Sequence, residues 1–105
     1  MRMQRLYELT KVLRSKNSGP FEITLDILFD NPQTYRRVVD SGVVTRESVA
    51  ALYGISPEKI LEFVHYDAAL GIKITYLRDV ASGTVGDRDV YGAQQHAPLM
   101  DIEIP

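Results

Sequence analysis

The sequence predicts an α+β fold: a mainly antiparallel sheet with helices gathered on one face. Three observations carry this. From Phe21 to Asp30, the apolar residues Phe21, Ile23, Leu25, Ile27 and Phe29 alternate with Glu22, Thr24, Asp26 and Asp30, and Leu28 is the single exception. Side chains on a strand alternate between faces, so this segment reads as a strand with one face in a core and the other polar. One wet face implies a sheet covered on one side. Second, Asn31-Pro32 and Thr45 each open a helical segment that closes on a glycine, Gly42 and Gly54. Third, the β-branched run Ile72 to Leu77 follows a strand-like run over Leu61 to Tyr66, which makes the two partners across a short connection. Helices thus stand in one block between strands.

The elements follow in chain order. Leu6, Leu9, Val12 and Leu13 fit helical spacing, yet the Leu-Tyr and Val-Leu pairs also suit a buried strand, and so short a run leaves both open. Arg14 to Pro20 reads as a polar loop ending at the breaker Gly19-Pro20. After the strand, Asn31 caps and Pro32 takes the first helical position. Tyr35, Val38 and Val39 form the apolar stripe, and Gly42 supplies a left-handed stop. Thr45 begins a second helix, with Glu47 in its first turn favoured by the helix dipole. Val49, Leu52 and Tyr53 are expected to face inward. Ser56-Pro57-Glu58 reads as a cap and first turn, Asp67 to Gly71 as a connection, and Arg78 to Arg88 as a long loop. Gly92 to Met100 is expected to form a short helix with Pro98 near its end, and Ile102 and Ile104 a last short strand. The simplest arrangement of this order is a ferredoxin-like variant in which at least one connection departs from the plain form.

Composition bounds the function. The chain has 105 residues, which is one domain spanning 1–105. Its formal net charge is -2 with both signs interspersed, which argues against nucleic acid as a partner, since phosphate neutralisation needs a concentrated basic surface. There is no cysteine, so disulfides, thiolate catalysis and zinc–thiolate sites are excluded. No run approaches the roughly eighteen apolar residues of a membrane-spanning helix. The basic start, Met1-Arg2-Met3-Gln4-Arg5, precedes no long apolar stretch, so no signal peptide is read and a cytoplasmic protein is expected.

Two polar patches stand outside the hydrophobic pattern. In the first, Arg14 and Lys16 offer cationic donors, Ser15 and Asn17 neutral ones, and Gly19 a close approach to backbone. These residue types suit a carboxylate, a phosphate or a CoA-type acyl group. They equally suit a solvated turn with two surface cations. The spacing is not that of a Walker loop. In the second patch, His96 titrates near neutrality and suits general acid–base work, Gln94 and Gln95 can orient a carbonyl, and Tyr91 adds a phenol. The alternative is that His96 packs near a helix end while the glutamines fix the tail. Asp87 and Asp89 lack EF-hand spacing, and neither a metal nor another cofactor is expected. His65 shares a face with Leu61 and Phe63 by alternation and reads as structural.

Three segments together carry a resemblance: Arg14 to Glu22, the strand end Ile27-Leu28-Phe29-Asp30, and the tail Asp89-Val90-Tyr91-Gly92-Ala93-Gln94-Gln95-His96-Ala97-Pro98-Leu99. Nearly the whole chain resembles an uncharacterised family of small microbial domains, often encoded beside or fused to larger proteins of the acyclic-terpene-utilisation AtuA type. A weaker similarity links it to the ferredoxin-like C-terminal domain of those proteins, with Arg14 to Gly19 in place of an Arg-Ser-Gly-Asp-Lys-Gly-type loop, Thr45 to Tyr53 in place of a helix and Gly92 to Met100 in place of the terminal helix. The Asp before Lys in that loop is missing here, so no metal or acid role carries over. The resemblance implies an accessory subunit or domain of an AtuA-type protein, with an acyl or carboxylate substrate at a shared interface. Arg14, Ser15, Lys16, Asn17, Gly19, Tyr91 and Gln95 would bind that substrate, and His96 and Gln94 would approach the reacting centre. A self-contained homo-oligomeric enzyme and a non-catalytic assembly module are the rival readings.

Overall fold

In the computed structural model, residues 3–19, 21–77 and 97–105 are described, and the following concerns these. A two-residue strand β1 (Gln4–Arg5) leads into a single helical turn α1 (Leu6–Leu9), then strands β2 (Val12–Gly19) and β3 (Glu22–Leu28). Helices α2 (Pro32–Ser41) and α3 (Arg46–Tyr53) follow, then β4 (Ile60–Tyr66), β5 (Gly71–Leu77) and β6 (Glu103–Ile104). Short 3-10 turns occupy Pro57–Lys59, Asp67–Ala69 and Ala97–Asp101. This is the expected α+β composition.

The sheet is built around β3. Its alternation buries Ile23, Leu25 and Ile27, and Phe29 just beyond it, against the helices. The main sheet has the order β2-β3-β5-β4, with every neighbour antiparallel. β3 and β4 therefore run parallel with β5 between them, and both helices stand in the one crossover that joins them. A plain ferredoxin-like chain runs β-α-β-β-α-β. This one departs from it by opening the sheet with the β2–β3 pair directly. β1 and β6 form a separate two-stranded sheet, which brings Leu6, Leu99 and Ile104 into the same core as Tyr35, Val38, Val49 and Ala50.

Local chemistry sets the helix limits as expected. The Asn31 side chain accepts from the Thr34 amide at 2.8 Å, and Gly42 closes α2 at φ +69°. Thr45 and Ser48 cap α3 reciprocally, with 2.9 and 3.0 Å bonds between each side chain and the other's amide. Arg46 on α3 donates to the Ile60 carbonyl and so ties that helix to β4. Arg37 on α2 reaches the backbone oxygen of Pro105 at 2.9 Å and the Gln4 side chain at 2.6 Å, which fastens the small sheet to the helix layer. The Asp67–Ala69 turn is held from the other side: the Tyr35 hydroxyl donates to Asp67 at 2.5 Å.

Several expectations are corrected. Leu6 to Leu13 is neither one helix nor one strand: a four-residue turn ends at Leu9, and Val12 and Leu13 already belong to β2. Arg14 to Gly19 is not a loop but the body of β2, because its backbone groups pair with β3 from Arg14↔Asp26 to Gly19↔Glu22. A polar strand gives no apolar period, so only the pairing reveals it. Leu52 is 43% exposed, and Ala50 takes the inward position on α3 instead. Phe21, one residue before β3, is exposed as well. The register of β4 shifts between Ile60 and Glu62, so Ile60 takes the buried place and Leu61 turns outward. Leu61 thus leaves the face shared by Phe63 and His65, whose rings meet edge to face at 5.5 Å. The expected loop 78–88 and the start of the expected helix at 92–96 lie outside the described residues. Its end is the 3-10 turn Ala97–Asp101.

Candidate functional site

The face of the main sheet turned away from the helices carries the polar half of each alternating strand. Register places these residues in rows. Val12, Leu28, Gly71 and Tyr66 form one row, Arg14, Asp26, Lys73 and Val64 the next, and Lys16, Thr24, Thr75 and Glu62 the third. In the middle row, Arg14 Nε lies 3.1 Å from Asp26 Oδ2. Asp26 is only 16% exposed, whereas Arg14 is 58% exposed, so the carboxylate sits in the floor and the guanidinium faces outward. Lys73 Nζ is 3.8 Å from Glu62 Oε1.

In the third row, Thr24 and Thr75 are buried despite lying on this face, and their hydroxyls are 3.2 Å apart. The Thr75 hydroxyl donates to Glu62 Oε1 at 3.4 Å. A carboxylate only accepts, so the direction of the chain is fixed: Thr24 donates to Thr75, and Thr75 to Glu62.

A groove of about 530 Å³ lies over these rows. Among the described residues, its charged lining consists of Arg14, Lys16, Lys73 and Asp26. Lys16 is exposed. Arg14 is paired with Asp26 and Lys73 with Glu62, which leaves Lys16 as the cation of the lining with no carboxylate partner among the described residues. Opposite charge brought within a few ångströms of a poorly solvated wall counts for more than on open surface. The arrangement can hold an anion between Lys16 and Lys73, with Arg14 at its flank. Among the described residues, no group of three or more acidic, histidine or cysteine side chains is placed to hold a metal ion.

The residues singled out in the first patch divide. Arg14 and Lys16 point into the groove with Thr24 and Asp26, and Ser18 borders it at the strand end. Ser15 lies opposite Leu25 on the helix-covered face and is buried. Asn17 lies opposite Ile23 by register and borders the groove at its rim. Gly19 sits at the strand end beside Glu22, where a Cβ would lie 3.0 Å from Glu22 Oε2. Strand alternation separates side chains that a loop could have gathered. Tyr91, Gln94, Gln95 and His96 lie outside the described residues, as do Asp87 and Asp89. Lys73, Thr24 and Tyr66 also line the groove, and none of them stands out in the sequence as a candidate. Their only signal was membership in the polar half of an alternating strand, which gains meaning once the strands are aligned.

A family comparison places this sheet in context. The family model for a domain of unknown function, DUF4387, matches residues 6–103. The chain belongs to that family. The match spans the main sheet, α2, α3 and every described groove residue, while β1 and Ile104 lie outside it, so the grooved face falls within the DUF4387 unit. No curated protein and no solved structure matches the chain. Among the described residues, no helix is long and apolar enough to cross a membrane.

Proposed function

We propose that this DUF4387 chain is an accessory domain that binds a small anionic or acyl-carboxylate ligand in the groove on its open sheet face, in the service of a larger AtuA-type protein. The observation that carries the ligand half is the groove itself, with Lys16, Lys73 and Arg14 around a floor of Thr24 and Asp26. Lys16 and Lys73 supply point charges on flexible stems, and Arg14 supplies a planar fork partly committed to Asp26. The floor is rigid because it consists of central-strand residues whose backbones are paired on both sides. A rigid floor with mobile cations at the rim suits binding and positioning more than bond-making.

The partner half rests on the resemblance of Arg14 to Glu22 and of the 89–99 tail to domains encoded beside or fused to AtuA-type proteins. A shallow, open groove supports the same reading, since a second protein can close over it and complete an enclosed site. His96 and Gln94 keep their proposed place near the reacting centre of such a composite site.

Calorimetric titration with butyrate and hexanoate tests the ligand half. Saturable binding that weakens at least tenfold in both Lys16→Ala and Lys73→Ala, with folding retained, is expected. Binding indifferent to both changes would remove the groove from the function. Co-purification with the AtuA-type neighbour tests the partner half, and a chain that ignores that neighbour would favour a self-contained homo-oligomer.

A further inference from the structure

The open face is graded along the strand direction. Successive rows are ~7 Å apart, two residues of strand rise. The row through Leu28, Gly71 and Tyr66 carries no charge at all, whereas the next two rows hold every cation of the groove. Gly71 has a specific part in this. A Cβ there would lie 2.6 Å from Leu28 Cδ2, so the Leu28 side chain lies across β5 in the space that a larger residue would take. Leu28 is partly exposed to the groove, Tyr66 is 45% exposed beside it, and Ala69 borders the same end. An apolar shelf of Leu28, Tyr66 and Ala69 therefore adjoins a cationic zone of Lys16, Lys73 and Arg14 within one continuous groove.

We infer that the ligand of this groove is an amphipathic monocarboxylate, its head held by Lys16 and Lys73 and its hydrocarbon chain laid on the Leu28–Tyr66 shelf. This rests on the reading of the groove as an anion site and specifies its ligand class. The observations disfavour a polyanion. A second charge at the far end would meet an uncharged row and lose hydration without gaining a partner. The open phenol edge of Tyr66 and the branched end of Leu28 instead offer contact to methylene groups.

The test is a chain-length series by calorimetry: acetate, butyrate, hexanoate and octanoate, with adipate as a hexanoate-length dicarboxylate. The expected result is affinity rising about fourfold for each methylene added from butyrate onward, the value for burial of a CH₂ group. Adipate is expected to bind no tighter than butyrate. Tyr66→Ser and Leu28→Ser are each expected to lower the slope of the series, and Lys16→Ala to weaken all members by a similar factor. Tyr66 is at the surface, so its variant remains informative if Leu28→Ser does not fold. Two results overturn the inference and are distinguishable. Lys16-dependent binding with no chain-length trend would leave the anion site standing and remove the amphipathic ligand. No saturable binding of any member would remove both.

Discussion

At Gly71 one hydrogen atom decides how two strands meet. An alanine Cβ would lie 2.6 Å from Leu28 Cδ2 and 3.3 Å from the Ile27 carbonyl oxygen. Gly71→Ala is expected to cost about 1–3 kcal/mol by overpacking, measured by urea denaturation. Adding Leu28→Ala should recover part of the loss, because the side chain can be removed but the carbonyl cannot. The positive φ in this connection falls on Leu70, at +52°, and not on the glycine beside it. Leu70 is held there by packing on the core and by its carbonyl, which accepts from the Phe29 amide at 2.9 Å. Tyr35 offers a second test at this scale. Its phenol is pushed up to about 12, first by burial, then by the hydrogen bond to Asp67 and by that carboxylate's charge. In the unfolded chain it ionises near 10. Its contribution is fully present below pH 10 and is lost as the pH rises from 10 to 12, where the unfolded chain has given up the proton and the folded one has not. Tyr53, also raised by burial and by Tyr76, adds to the alkaline loss. Tyr35→Phe should therefore reduce, without abolishing, the fall in unfolding free energy between pH 9 and pH 11.

At the scale of elements, the caps were legible and the strand β2 was not. Asn31 and Thr45 act where their side chains meet the first free amides of α2 and α3. Such bonds span three residues, so the sequence displays them directly. Thr45→Ala is expected to lose about 1 kcal/mol of stability, with the loss visible as faster amide exchange in the first turn of α3. β2 has no such local signature. Its residues from Arg14 onward are polar on both faces, apart from the chain's own turn chemistry, and only pairing with β3 makes them a strand. The same pairing undid the idea of a gathered loop. Arg14 and Lys16 went to the open face, Ser15 to the covered one. Arg37 shows a tether equally invisible in sequence, since Gln4 and Pro105 lie far from it along the chain. Arg37→Ala is expected to speed amide exchange in β1 and β6 while leaving that of β3 and β5 unchanged, measured by hydrogen–deuterium exchange.

At the scale of the whole molecule, the two faces of the main sheet differ in character. One face holds the apolar residues of β3 and β5 against two helices, and the other carries the cationic groove. Substitutions confined to the groove rim, such as Lys16→Ala, are accordingly expected to change unfolding free energy by less than about 0.5 kcal/mol while weakening carboxylate binding. Paired denaturation and calorimetry on one preparation would show both. The α+β class, the alternation of β3, both helices with their caps and glycine stops, and the Leu61–Leu77 hairpin in outline were determined by the sequence alone. Each rests on neighbours within a few positions, where propensity and periodicity act. The strand order, the register shift that turned Leu61 outward, the rows that bring Lys73 beside Asp26 and Lys16 beside Thr24, and the notch at Gly71 were decided only by tertiary structure. Those features depend on which strand pairs with which and in what register, a choice set by burial of the whole core and by nothing local to any one segment.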